Sequence, residues 1–439
     1  MNEILPVLLV TVAGAFLVAA CSTGLSRREK RWVVGSFLMH VGFAVSQVPL
    51  ALSFYGGSDM FLYFSYGEIL GRMMDVDPLR VMPEVTALLL QRPYRLPLMV
   101  AGAGTATGSM SALAAWCFYL WGPSKYAVCI AFAMLSLCGK IAMYRAFRAN
   151  VDLRYRLPAA VATLFLPSFV FWSSGLIKEA LAVAGFGWSL LGLHLWIREG
   201  RTATGWALIV AGAAPILLFK AYILFPLALA GGAWYYWSRS LRRGRVRIRP
   251  AYLAIAMLLG LGGIVVLGDY FPSYSVDSFG VRASELQHVG RSLRGGSNYA
   301  LAGDAPTTIA GQFVYAPAAL FTSLFRPVIF EVHNLLMLAN AIETTVLTLL
   351  FLRVLFRRNL GVVRQQLAND PFLIFCLVFV VAFGIAVGLA STNLGTLSRY
   401  RSPLVPFFAV LLLVLGKRAR AWSPEREFHS GSKPALGAT

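Results

Sequence analysis

Long apolar blocks run along the chain, divided by short arginine-rich stretches. They cover residues 4–22, 33–55, 124–143, 157–172, 181–197, 204–219, 222–237, 251–267, 330–354, 371–390 and 403–416. A straight transmembrane helix takes about 20 apolar residues. The pattern therefore predicts an all-α, polytopic integral membrane protein with about 11 transmembrane helices. Several blocks fall short of that length, so their ends are soft, and the pair flanking Lys220 reads equally as one longer helix. Residues 98–121 are apolar enough to cross, but counting them would put the basic cluster at Arg145–Arg156 on the wrong side. Their many small residues (Gly102, Gly104, Gly108, Ser109, Ser111) fit a re-entrant or surface-lying segment instead.

Composition closes off other classes. Of 439 residues, 58% are hydrophobic and only 13% charged, against about 25% charged in soluble proteins. A soluble enzyme, a coiled coil and a disordered scaffold are excluded. The net charge of +20, from 39 Lys+Arg and 19 Asp+Glu, does not indicate nucleic acid, because the basic residues bunch at the ends of apolar blocks. The clusters are Arg27–Arg31, Arg145–Arg156, Arg239–Arg249, Arg353–Arg358 and Lys417–Arg420. Short basic loops stay in the cytoplasm, and eleven spans with the N-terminus outside put every cluster inside.

Residues 1–421 thus read as a single transmembrane domain, and 422–439 as a disordered cytoplasmic tail. Two larger extracytoplasmic loops remain, 56–123 and 268–329. The first begins with short amphipathic helices, in which Ile69, Leu70, Met73, Met74, Val85, Leu88 and Leu89 recur at helical spacing. Asp59, Glu68, Asp75, Asp77 and Glu84 lie in the first loop, and Asp269, Asp277, Glu285 and Asp304 in the second. The five cysteines lie in or beside apolar blocks without metal-ligand spacing, and the five histidines are scattered. There is no HExxH, Walker loop, GxSxG or paired CxxC, and no internal repeat.

Candidate chemistry gathers where spans meet the outer surface. Asp59 stands where the second span emerges, followed by Tyr63, Tyr66 and Glu68. Asp59 and Glu68 are the candidate catalytic carboxylates, a role for which a partly desolvated acid is suited; Ser58 or Asp59 also reads as a helix cap. Lys178 and Glu179 interrupt two apolar runs, as a plain turn or as a place where Lys178 holds a phosphate. Lys220 beside Tyr222 invites the same reading. The ninth block opens with Phe325-Arg326-Pro327 and carries Glu331, His333, Asn334, Asn340 and Glu343, with 333 and 340 on one helical face. This intramembrane polar stripe either bonds neighbouring helices or lines a substrate path. Ser398-Arg399-Tyr400-Arg401-Ser402-Pro403 opens the last span on the outer side, where the positive-inside rule does not explain arginines, and guanidinium groups bind phosphate bidentately.

An acid soon after a span in the first outer loop, with an Arg-Tyr pair opening a late span before Pro403 and Pro406, resembles the GT-C superfamily. These are polytopic glycosyltransferases that use polyprenyl-phosphate-linked sugars. The stretch from Pro167 to Glu179, and Phe325-Arg326-Pro327 with Glu331, also resemble uncharacterised bacterial membrane proteins of envelope-polysaccharide synthesis. The resemblance implies transfer at the extracytoplasmic face of the bacterial cytoplasmic membrane, with Asp59 as base and Lys178, Lys220, Arg326, Arg399, Tyr400 and Arg401 around the donor phosphate. It implies as partners a polyprenyl-phosphate-linked sugar or oligosaccharide, membrane lipid and other polysaccharide-assembly proteins. No cofactor is required, although a divalent cation on Asp75 and Asp77 would follow some members. The chain departs from the usual pattern in two ways: its acidic loop follows the second span, and a lone Asp59 replaces a pair of adjacent acids.

Two other readings compete. The long loop 268–329, bearing Arg282, His288, Arg291 and Arg294, is similar to the arrangement in O-antigen polymerases and ligases, which join lipid-linked repeat units. A transporter or flippase for a lipid-linked or anionic solute would instead use Lys220, Glu331 and Glu343 within the membrane.

Overall fold

The computed structural model describes residues 3–54, 58–243, 284–285, 298–299, 301, 311–312 and 314–416. The expected span 251–267, most of the loop 268–329 and the tail 422–439 lie outside the described residues. The elements in chain order are α1 (Ile4–Cys21), α2 (Arg27–Pro49), α3 (Asp59–Val76), α4 (Pro78–Leu89), α5 (Ala106–Trp121) and α6 (Lys125–Asn150). Then come α7 (Arg156–Ala160), α8 (Pro167–Phe171), α9 (Lys178–Ile197), α10 (Thr202–Lys220) and α11 (Leu224–Arg242). The last six are α12 (Ala316–Phe325), α13 (Leu335–Arg357), α14 (Leu360–Asn369), α15 (Pro371–Leu389), α16 (Leu394–Tyr400) and α17 (Val405–Leu415). Among the described residues the fold is all-helical, without a strand.

Among the described residues, seven helical stretches are long and apolar enough to cross a membrane, or eight if the pair α16–α17, bent by 73°, forms one span. The chain is a multi-pass membrane protein. One of the seven is the 41-residue stretch Thr202–Arg242, about twice what a single crossing needs. Its contacts show that it doubles back at Lys220. Gly205 and Gly212 of α10 meet Gly192 and Gly185 of α9 in antiparallel order. In contrast, Trp234 and Tyr235 of α11 stack on His194 and Trp196 in parallel order. The block 157–172 is not one regular helix, and 403–416 is the longer arm of the bent pair.

The basic clusters Arg27–Arg31 and Arg145–Arg156 meet at one end of the bundle. Glu29, in the capping box that starts α2, accepts from Tyr144 at 2.8 Å and from Arg148 at 3.1 Å on α6. Trp237 of α11 donates to the Ala368 carbonyl at 2.8 Å, beside the start of α15. The opposite end carries Asp59, Lys178, Lys220 and Arg399. There, α3, α4 and α5 form a small subdomain with its own apolar cluster of Leu70, Met74, Val81, Val85, Leu88, Ala112 and Ala115. Residues 106–121 are thus a helix packed on α3 and α4.

Between the two ends, close helix packing relies on small residues, as expected where lipid supplies no hydrophobic drive for helix association. Gly139 of α6 faces Ala184 and Gly187 of α9. An aromatic column on α15 (Phe372, Phe375, Phe379, Phe383) packs around Phe407, Phe186 and Trp234.

The least regular part of the bundle is residues 156–177, where α7, a π-helical turn (Val161–Phe165) and α8 follow one another. Pro167 has no N–H to donate and holds Leu166 extended, at ψ 120°. The freed backbone groups are met by side chains, as an apolar surrounding demands. Ser36 donates to Leu164 O at 2.8 Å, Lys140 to Phe169 O at 3.0 Å and Gln47 to Phe171 O at 2.9 Å. Glu343 of α13 accepts from the backbone N–H of Ser168 at 3.2 Å and from its hydroxyl. This frame fixes the path of the chain into Lys178 and Glu179.

An added Cβ on Gly187 would lie 1.8 Å from the Gly139 carbonyl oxygen, whereas one on Gly232 meets nothing within 4 Å. Gly187→Ala is therefore expected to lower the thermal stability of the purified protein by about 1–3 kcal/mol or more. Gly232→Ala should leave it unchanged; scanning fluorimetry of both variants checks the pair.

Candidate functional site

Four helix ends bring four charges together. Ser58 caps α3, its hydroxyl accepting from Phe61 N at 3.3 Å, which places Asp59 in the first turn. Glu179 lies in the first turn of α9, Lys220 in the last turn of α10 and Arg399 in the last turn of α16. Each sign suits its helix end, since acids are favoured at N-termini and bases at C-termini. Because these ends share one face of the bundle, the acids and bases also meet each other.

Glu179 is the hub. Its Oε1 accepts from Arg399 Nε at 2.8 Å and from Lys220 Nζ at 2.9 Å. The Glu179 and Lys220 side chains are only 3% and 7% exposed, so water screens this pair little. Lys220 is further held over the Tyr400 ring, 4.0 Å from its centroid, and donates to the Tyr222 hydroxyl at 3.3 Å. The other carboxylate oxygen of Glu179, Oε2, is buried without a hydrogen-bond partner.

Arg399 also reaches outward. Its Nη1 lies 3.1 Å from Asp59 Oδ2, and the Asp59 side chain is 50% exposed against 17% for Arg399. One guanidinium thus joins a buried acid to an open one. Lys178 sits beside this group, donating to Thr107 Oγ1 at the start of α5 at 2.9 Å and lying 5.9 Å from the Tyr63 ring centroid. Tyr63 is fully buried and its hydroxyl has no hydrogen-bond partner. Burial, reinforced by the nearby Asp59 carboxylate, pushes that phenol well above its ordinary range. With Asp59 and Glu179 set against Lys178, Lys220 and Arg399, the cluster carries one positive charge in excess. It pairs an open carboxylate with cations that face the same surface, which suits it to a phosphate and a proton acceptor side by side.

The structure therefore brings together Asp59, Lys178, Lys220, Arg399 and Tyr400, and adds Glu179, whose place between two apolar runs reads as a plain turn. Its signal was a lone acid in a span whose partner lysine ends the next span, since charges there pair with one another.

Other candidates fall elsewhere. Glu68 is nine residues along α3 from Asp59, about 13 Å at helical rise, and pairs with Arg72 at 2.6 Å and Lys125 at 3.6 Å. Arg401 is 1% exposed and turns away from Arg399. It donates to the Ser323 carbonyl at 3.3 Å, to the Arg326 carbonyl and to Thr344 Oγ1 at 2.6 Å, tying α16 to α12 and α13. Arg326 pairs with Glu331 through Nε at 2.7 Å and lies over the Tyr299 ring at 4.7 Å. Burial would raise the Glu331 carboxyl, but these bonds and one from Val328 N hold it below its ordinary range.

The polar stripe expected on the ninth span is broken. Asn334 caps α13, so Glu331 and the exposed His333 precede the helix and share no helical face with Asn340. Asn340 is buried and donates to Leu336 O at 2.9 Å, and Glu343 is spent on Ser168. Arg282, His288, Arg291 and Arg294 lie outside the described residues. Asp77 caps α4 by accepting from Arg80 N at 3.3 Å. Among the described residues, no group of three or more His, Cys, Asp or Glu gathers as a metal site would require.

The difference in depth sets an expectation. Removing Glu179 strands the buried Lys220 and takes the inner partner from Arg399, so Glu179→Ala should cost about 3–5 kcal/mol. Asp59→Asn opens a half-exposed pair and should change stability by less than about 1 kcal/mol. Denaturant titration of the purified variants checks this, and equal losses would contradict the assigned depths.

No family model, curated protein or solved structure matches this chain.

Proposed function

We propose that the chain is an integral-membrane glycosyltransferase. It moves a sugar from a polyprenyl-phosphate-linked donor to an acceptor hydroxyl at the extracytoplasmic face, in cell-envelope or exopolysaccharide assembly. The observation that supports this most is the meeting of Asp59, Lys178, Glu179, Lys220 and Arg399 at one end of the bundle, from stretches as far as 340 residues apart. A phosphate on a membrane lipid sits at the depth of such a cluster, and an exposed carboxylate beside it can act as a general base.

The transfer is a single displacement. Asp59 takes the proton of the acceptor hydroxyl as its oxygen bonds to the anomeric carbon of the sugar. The bond from that carbon to the phosphate oxygen breaks, and the electron pair leaves with the polyprenyl phosphate. Arg399 and Lys178 hold the departing charge, an electrostatic role that matters most where water is scarce. Lys220 and Glu179 act through Arg399 as positioning residues, as does Tyr400 beneath Lys220.

Deleting the gene and examining lipid-linked glycans by mass spectrometry tests the reading. Loss of one sugar, with the precursor shortened to match, is the expected result. A build-up of complete single repeat units would instead make the chain a polymerase or ligase and direct attention to Arg282, His288, Arg291 and Arg294. An unchanged pool would leave transport. With the purified enzyme, Asp59→Asn should abolish transfer while expression and membrane insertion stay normal, and near-normal product would remove Asp59 from the mechanism. Arg399→Lys should restore donor use only in part, because lysine lacks the planar fork; wild-type kinetics would make Arg399 a structural residue.

A further inference from the structure

We infer that Asp59 occupies the place of the donor phosphate in the free protein, so that phosphate binding at Arg399 releases the carboxylate for catalysis. The inference rests on the reading of the cluster as a lipid-phosphate site. Arg399 presents two edges with different roles. Its Nε is fixed from below by Glu179, 3% exposed, at 2.8 Å. Its outer Nη1 is met by Asp59, 50% exposed, at 3.1 Å. A phosphate engages a guanidinium through paired N–H groups, and Nη1 is the nitrogen that reaches the half-exposed Asp59. Asp59 already holds that nitrogen, so a phosphate arriving there and Asp59 compete for it.

The competition is uneven. A half-exposed aspartate–arginine pair is worth about 0–1 kcal/mol, whereas the donor's phosphodiester, singly charged like the carboxylate, also draws on Lys178 in the same group, which makes no ion pair with Asp59. Glu179 does not yield, because releasing it would leave Lys220 buried without its counter-charge. The guanidinium therefore stays in position while its outer partner changes. The freed Asp59 then lies next to the bound phosphate, its oxygen no longer taken up by Arg399. In the empty site the same carboxylate is engaged, which keeps it from acting as a base before the donor arrives.

The test measures binding of farnesyl phosphate to the full chain in phosphatidylcholine nanodiscs, with inorganic phosphate as a second arm. Removing the competitor should tighten binding, so Asp59→Asn should bind farnesyl phosphate about 2–5-fold more tightly than wild type. Glu179→Gln, which leaves Arg399 unanchored, should bind it more weakly. Glu68→Gln removes the same charge without touching Arg399 and should leave the affinity unchanged. Inorganic phosphate should follow the same order at lower affinity, the lipid chain accounting for the difference.

Saturable wild-type binding with no tightening in Asp59→Asn would overturn the exchange and leave the phosphate site standing. Equal tightening in Glu68→Gln would also overturn it, by reducing the effect to net charge. Absence of saturable farnesyl phosphate binding in the wild type would sink the underlying lipid-phosphate reading itself.

Discussion

One carboxylate oxygen organises the face of the bundle where chemistry is proposed. Glu179 Oε1 binds Lys220 and Arg399 together, and those two residues hold α10 and α16 against the start of α9. Buried charges cost several kcal/mol each to desolvate, a penalty offset only by close opposite charge and good geometry. Two cations on one oxygen meet that condition for the pair as a whole, and the remaining positive charge is shared outward with Asp59. The outward pair depends on the inward one, because without Glu179 the guanidinium has no fixed plane to present.

The broken segment 156–177 supports this arrangement from the membrane interior. A regular helix would satisfy its own backbone, but Pro167 and the π-helical turn leave carbonyls that Ser36, Lys140 and Gln47 must meet. Those donors come from α2 and α6, and the Ser168 end is held from α13 by Glu343. Lys140 donates as well toward His40 Nε2 at 3.1 Å, while His40 Nδ1 lies 2.7 Å from Ser36 O. The polar residues deep in the bundle thus serve one stretch of irregular backbone, and that stretch delivers Lys178 and Glu179 to the surface.

Much of this was legible in the chain. Apolar blocks marked the spans, and Asp59, Lys178, Lys220 and Arg399 stood out because each is a charge at the edge of an apolar run. Their convergence was not legible, since nothing in local spacing relates residue 59 to residue 399. Arg399 and Arg401 looked equivalent in sequence, yet residues two apart on a helix point about 200° apart, and one turns to the cluster while the other locks α12 and α13. Glu179 reads as part of a turn because a charge is costly inside a span, and its partner Lys220 lies at the end of a different helix. His333 was placed on a helical face by a spacing argument that assumed a helix from residue 330, but the Asn334 cap starts it later. For the loop arginines and His288, and for the eighth apolar block, the described residues give no account.

The order of these charges along the chain shapes how the protein is made. Asp59 and Glu179 are synthesised before Lys220, and Arg399 comes last, close to the end of the described residues. A ribosome therefore delivers both acids first, then a lysine that neutralises the buried one, and only at the end the arginine that joins the two. A chain stopped between residues 220 and 399 has its glutamate–lysine pair but no link to Asp59. Products truncated before residue 399 thus stay unfinished at this face, and the cluster closes only once Arg399 has been made.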